Sequence, residues 1–150
     1  MTNKVCIFDL DGTISLCDHR LKYIRGEKKD WDTFFKECIN DKVNEFIAIL
    51  MRNLWYDYKI IVISGRSEDV RKETLDWFRK HRIPFAKMYM RPHNNFTSDD
   101  ILKKELMLQA QKEMNFTKED VLCIFEDRNK VVKMWRDLGY TCFQVRDGDY

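Results

Sequence analysis

The chain has 150 residues, 44% hydrophobic and 35% charged, a composition that excludes disordered and fibrous classes and a length that suits one domain with its own core. Its net charge of +2 is too small to argue for a nucleic-acid surface by itself, while leaving room for a local basic patch. No apolar run approaches the ~18 residues of a membrane span, and Met1-Thr2-Asn3-Lys4 leads into apolar sequence without a signal-peptide pattern; the expectation is a cytoplasmic protein with no membrane partner.

Candidate elements alternate along the chain. Residues 4–9 (KVCIFD) form a short apolar run ending in acid, read as a first strand. Residues 14–40 are polar and irregular, carrying Asp18, His19, Arg20, Lys22, Arg25, Lys28 and Lys29. A loop of that length is more often functional than idle. Val43, Phe46, Ile47, Leu50 and Leu54 then recur at helical spacing, followed by a β-branched strand at 59–64 (KIIVIS). A second helical stripe (Val70, Thr74, Trp77, Phe78) precedes a weaker strand at 86–90. A third (Ile101, Leu102, Glu105, Leu106, Ala110) precedes a strand at 121–125 (VLCIF). A fourth (Val131, Val132, Trp135, Leu138) stops at Gly139, ahead of a last strand at 141–145. Near-continuous apolar strands separated by helices predict an α/β fold, a parallel sheet flanked by helices, within a single domain over 1–150. Ligands in such sheets sit beyond the carboxyl ends of the strands.

Three of those ends carry chemistry. The first leads into Asp9-Leu10-Asp11-Gly12-Thr13, the second into Ser64-Gly65-Arg66 and the fourth into Glu126-Asp127-Arg128, while Lys103 lies in the helix before the fourth. Crowded carboxylates need a cation, and all-oxygen ligands point to a hard ion, Mg²⁺ before Ca²⁺ and far before zinc. In extended chain, Asp9 and Asp11 point to the same side, a spacing that suits a nucleophile and a general acid acting on one breaking bond. Gly12 permits close backbone approach to a phosphate, with exposed N–H groups in the turn to hold its oxygens. Taken singly, a DxDG is more often a turn, a Ser-Gly a loop, a helical Lys a solvated face and a Glu-Asp a helix cap. Their combination, in this order and each at a strand end, is what separates them from chance.

These strings resemble the four motifs of the haloacid dehalogenase (HAD) superfamily: Asp9 to Thr13, Ser64, Lys103 and the acidic pair Glu126-Asp127. Ile63-Ser64-Gly65-Arg66, Asp99-Asp100-Ile101-Leu102-Lys103, Glu126-Asp127-Arg128 and the tail from Gln144 to Tyr150 are similar to the 3′-phosphatase domains of phage polynucleotide kinase/phosphatases, over essentially the whole chain. The resemblance implies a Rossmann-like HAD fold and a Mg²⁺-dependent phosphomonoesterase working through an aspartyl-phosphate. Asp9 would be the nucleophile and Asp11 the general acid and base, with Ser64 and Lys103 on the phosphoryl oxygens. Asp9, the Asp11 carbonyl and Asp127 would hold the metal, with Glu126 acting through water. Gly12, Thr13, Arg20, Gly65, Arg66 and Asp99 join as substrate-binding residues, Asp99 by holding Lys103. One departure stands out: Glu126 occupies a position where the pattern has Asp.

About 50 residues separate Thr13 from Ser64 and about 40 separate Ser64 from Lys103. Both gaps hold predicted elements of the sheet, so neither leaves room for more than a minimal cap. An open site suits a macromolecular end, and the expected substrate is a 3′-phosphate on DNA or RNA. Arg20 and Arg66, rather than Arg25, Arg91 and His93, are the expected phosphate contacts. No GxxxxGK[ST] loop occurs in these residues, so a partner kinase or ligase would be a separate polypeptide. A small-molecule phosphatase such as a nucleotidase is the rival of the same chemistry. A non-catalytic, phospho-accepting receiver-like domain is the rival of another class, although receivers need no DxDGT at the first strand. Trp55, Trp77 and Trp135 fall on helical stripes and read as core, whereas Trp31 and Phe34 are candidates for base stacking. Cys6, Cys17, Cys38, Cys123 and Cys142 show no CxxC pair, and His19, His81 and His93 no ligand spacing, so neither disulfides nor zinc are expected.

Overall fold

A computed structural model describes residues 3–150. The apolar run after Lys4 becomes β1 (Val5–Phe8), whose four residues are all buried. A strand buried on both faces needs hydrogen-bonded neighbours at its edges and apolar cover above and below. The neighbours are β4 (Lys59–Ser67) and β6 (Val121–Glu126), both parallel to it. β5 (Lys87–Arg91) and β7 (Cys142–Gln144) complete a parallel sheet of order β5-β4-β1-β6-β7.

The two-residue period of β1 sends Cys6 and Phe8 to one face and Val5 and Ile7 to the other. On the first face α2 (Glu45–Leu54) and α3 (Arg71–Lys80) bring Ile47, Ala48, Met51, Trp77 and Phe78 onto Ile60 and Val62. On the second, α4 (Asp99–Met114) and α5 (Asn129–Asp137) bring Leu102, Leu106, Val131 and Trp135 onto Ile61, Ile63 and Ile124. The five predicted strands and the helices between them thus form a doubly wound sheet. Among the described residues, no helix is long and apolar enough to cross a membrane.

Several expectations shift. Ser64-Gly65-Arg66 lies inside β4, and the pairing of β4 with β5 breaks register between Ile63 and Ser67, around these residues. On α2 the core face is Ile47, Ala48 and Met51, leaving Phe46 72% exposed and Trp55 42% exposed, so Trp55 is not core. Val43 belongs to a strand, and Leu138 caps α5 at the surface.

The largest correction concerns 14–40, which is no irregular loop. It contains β2 (Ser15–Leu16), paired antiparallel with β3 (Lys42–Val43), two 3₁₀ turns (Asp18–Tyr23 and Glu37–Asn40) and α1 (Trp31–Lys36). The Asp30 side chain caps α1 by accepting the Thr33 N–H. A small third core of Cys17, Leu21, Ile24 and Phe34 holds the segment down.

Candidate active site

The site begins where β1 ends. The Asp9 N–H donates to the Phe125 carbonyl at 2.9 Å, continuing the β1–β6 ladder and placing the Asp9 carboxylate at the carboxyl edge of the sheet. Thr13 Oγ1 donates to Asp9 Oδ2 at 3.0 Å, and Lys103 Nζ, one turn into α4, donates to Asp9 Oδ1 at 2.7 Å. The same ammonium donates to Glu126 Oε2 at 2.7 Å. Glu126 Oε1 in turn accepts the N–H groups of Asp127 and Arg128, each at 3.2 Å. Both Glu126 oxygens are therefore occupied. Asp127 differs: Tyr150 donates its hydroxyl to Oδ2, whereas Oδ1 is buried without a partner.

Asp9, Glu126 and Asp127 each place an oxygen within 4.8 Å of the others, and all three are buried. Three carboxylates face one ammonium. Burial and the neighbouring Asp9 push the Asp127 carboxyl up to about 7, and burial together with Asp9 raises Glu126 well above the usual range, against the pull of Lys103. Burial disfavours the Lys103 charge, yet Asp9, Glu126 and Asp99 outweigh it and raise its pKa. The cluster is short of positive charge, and its orphaned oxygen is a hard donor. A divalent cation of the Mg²⁺ type fits both facts, with Asp127 Oδ1 as the ready ligand.

Asp11 lines the same cavity but joins a second ion cluster. Its Oδ1 accepts from Arg20 Nη2 and Arg66 Nη2, each at 2.5 Å. Arg20 also donates from Nε to Asp41 Oδ1 at 2.7 Å and from Nη1 to the Phe34 carbonyl at 2.8 Å, with its guanidinium 4.4 Å from the Phe34 ring centre. Arg66 Nη1 donates to Thr74 Oγ1 at 3.0 Å. Burial would raise the Asp11 carboxyl, but the two guanidiniums hold it far below the usual carboxylate range. Arg20 and Arg66 were expected on the phosphate. Both are fully buried and paired with Asp11 and Asp41, and Arg66 also lines the cleft.

Other expected residues take different partners. The Gly12 N–H donates to Ser15 O at 2.7 Å and the Thr13 N–H to Leu10 O at 3.2 Å, so the turn uses these groups internally rather than offering them to a phosphate. Gly12 has φ +83°, and a Cβ there would fall 2.0 Å from Asp127 Oδ2; at Gly65 a Cβ would fall 2.1 Å from Asp99 Oδ1. Both glycines make room for acidic side chains. Ser64 is buried, its Oγ accepting the Arg66 N–H at 3.0 Å, and lines the cavity. Asp99, expected to hold Lys103, forms an ion pair with it at 4.0 Å. Its closer partners are Arg91 Nη2 at 2.7 Å and Arg128 Nη1 at 3.1 Å.

A profile of the family described as the polynucleotide kinase PNKP phosphatase domain matches residues 3–150. The chain belongs to this family. It is a phosphatase of the HAD superfamily, which removes the receiver-like reading. It is 30% identical over 146 residues to a baculovirus protein (Autographa californica nuclear polyhedrosis virus) named as a bifunctional polynucleotide kinase/RNA ligase, covering 95% of this chain and 19% of that protein. A chain of the Pnkp1/Rnl/Hen1 RNA repair complex superposes with TM-score 0.82 at 33% identity, over 99% of this chain and 44% of that one. A phosphatase from Clostridium difficile, 15% identical with TM-score 0.71 over 96% of this chain and 85% of that one, shares the fold. The chain thus spans less than half the length of the kinase/ligase and repair-complex relatives.

Within the phosphatase site, four residues escaped the sequence. Asp41 lies in the polar string Asn40-Asp41-Lys42, with no periodicity to mark it. Arg128 was visible only as part of a longer string. Tyr150 was likewise visible only within the tail string, and it reaches Asp127 through space. Phe96 stands alone in the polar string Asn94-Asn95-Phe96-Thr97, and only the fold brings it to the cleft.

Proposed function

We propose that the chain is a Mg²⁺-dependent polynucleotide 3′-phosphatase acting through a phosphoaspartate on Asp9. The observation that carries this is the buried Asp9 carboxylate, oriented by Lys103 and Thr13 and facing the unpartnered Asp127 oxygen. Asp9 and Asp127 would hold the metal with the Asp11 carbonyl, Glu126 acting through water because Lys103 and two backbone N–H groups already engage it. When bound, the cation neutralises charge on the phosphoryl oxygens.

An Asp9 oxygen forms a bond to phosphorus as the ester oxygen leaves with a proton from Asp11. Water then attacks the phosphoaspartate, passes its proton to Asp11 and frees phosphate and Asp9. Lys103 and the Ser64 hydroxyl stand on the transferring group, where fixed charge and hydrogen bonds contribute most. A carboxyl gripped by two guanidiniums is a poor proton donor, so this reading requires Asp11 to turn from Arg20 and Arg66 toward the leaving oxygen. Gly12, Thr13 and Gly65 shape the site; Arg20, Arg66 and Asp99 act through the side chains they hold.

The polymer end is favoured over a nucleotidase substrate because the family that matches the chain is described as a polynucleotide kinase phosphatase domain. One relative is named as a polynucleotide kinase/RNA ligase and another belongs to an RNA repair complex, and work beside a kinase or ligase is proposed for this chain. The test is release of phosphate from 3′- and 5′-phosphorylated oligonucleotides of DNA and RNA, with and without Mg²⁺. Release from 3′ ends alone, lost with chelator, is the expected result. Equal release from both ends, or preference for mononucleotides, would reject it.

A further inference from the structure

The cleft holding Asp9 and Asp11 has a volume of about 510 Å³, and apolar residues share its lining with charged ones. Two exposed aromatic residues are part of its lining. Trp31, in the first turn of α1, is 39% exposed; Phe96, in the connection between β5 and α4, is 88% exposed. Trp31 is held in place from behind: its ring lies stacked 5.9 Å from Phe35 and edge-on 5.6 Å from Phe34. Phe34 itself is buried against Arg20 and offers no free face, so the stacking expected of it passes to Trp31. Lys29 Nζ stands 5.8 Å from the Trp31 ring centre, and Arg91 lines the cleft near Phe96.

We infer that Trp31 and Phe96 form a platform for the base of the 3′-terminal nucleotide, and that the preferred substrate is an unpaired 3′-phosphorylated end. This rests on the 3′-end reading above. Flat apolar faces beside a phosphate-processing centre match the two halves of a nucleotide, and stacking tolerates any base because every base has a π face. The cleft volume is that of a small-ligand pocket, room for one nucleotide rather than for a duplex. Lys29, whose ammonium lies 5.8 Å from the Trp31 ring centre, adds positive charge beside the aromatic lining, suited to the next phosphate of the strand.

The test compares single-stranded oligonucleotides whose 3′-phosphorylated terminal residue carries a base or is abasic. The wild-type protein should turn over the base-bearing end with kcat/KM about 5- to 150-fold higher, the range expected for one stacked base. In Trp31→Ala, in Phe96→Ala and most of all in the double variant, that ratio should fall toward one. A purine end should lose more than a pyrimidine end. Equal wild-type turnover of the two ends would overturn the platform while leaving the 3′-phosphatase intact, and so would an unchanged ratio in the double variant. The wild-type comparison needs no variant, so misfolding cannot mask it. Release of phosphate from glycerol phosphate but from none of the oligonucleotides would overturn the 3′-end reading and the platform together.

Discussion

At the scale of single residues, position rather than composition separates the two aspartates of the first motif. Asp9 and Asp11 are two residues apart, yet one is bound to an ammonium and a threonine, the other to two guanidiniums. Only Asp9 shares space with the metal-type cluster, and Asp9 is the proposed nucleophile. Asp9→Asn should therefore lower kcat by on the order of 10⁴-fold or more, the scale on which removing a covalent nucleophile acts. The amide keeps the shape and can still accept from Thr13, so the variant should unfold as one cooperative unit by circular dichroism. Phosphate release within tenfold of wild type from the folded variant would refute the nucleophile assignment.

Between residues and the whole lies the 14–43 segment, where sequence reading failed most. β1, β4 and β5 were legible because each buries a near-continuous apolar run, and α3, α4 and α5 because their apolar stripes have the helical period. Those physical causes are local. The 14–43 segment has neither, and its order comes from a tertiary ion cluster: Asp41 accepts from Arg20, Arg66 and Ser15, while its carbonyl accepts from Trp77 Nε1 at 2.9 Å. Nothing in the string around Asp41 shows that arginines 21 and 25 residues away will meet it. The site was legible in the same uneven way. The motif carboxylates, Ser64 and Lys103 lie at one cleft, but the partners of Arg20, Arg66 and Asp99 are set by side chains from distant elements. Asp41→Ala leaves two fully buried guanidiniums with one carboxylate between them. Breaking a buried pair in this way costs about 3–5 kcal/mol, and urea unfolding of wild type and variant should show a loss of that size. A loss under about 1 kcal/mol, the scale of an exposed ion pair, would mean the cluster does not organise the segment.

For the molecule as a whole, the fold concentrates unfavourable charge at one place. β1 and β6 are adjacent and parallel, so their carboxyl ends bring Asp9, Glu126 and Asp127 together whatever the side chains prefer. Lys103 offsets part of this from α4, and the rest is left in a buried setting where like charges repel strongly. A ligand that binds the folded chain and not the unfolded one stabilises it by RT ln(1 + [L]/Kd), about 2.7 kcal/mol at a hundredfold excess over Kd. Mg²⁺ should therefore raise Tm, by several degrees for a domain of this size, with no substrate present. Asp127→Asn removes the charge of the oxygen that lacks a partner while leaving an acceptor for Tyr150, so it should abolish most of that shift. Its own Tm without metal should be no lower than wild type, because one of three crowded negative charges is gone. Thermal unfolding of both proteins across a Mg²⁺ titration checks this independently of turnover. A wild type indifferent to Mg²⁺, or an Asp127→Asn variant with an undiminished shift, would place the cation elsewhere and leave the acidic cluster as a structural ion network around Lys103.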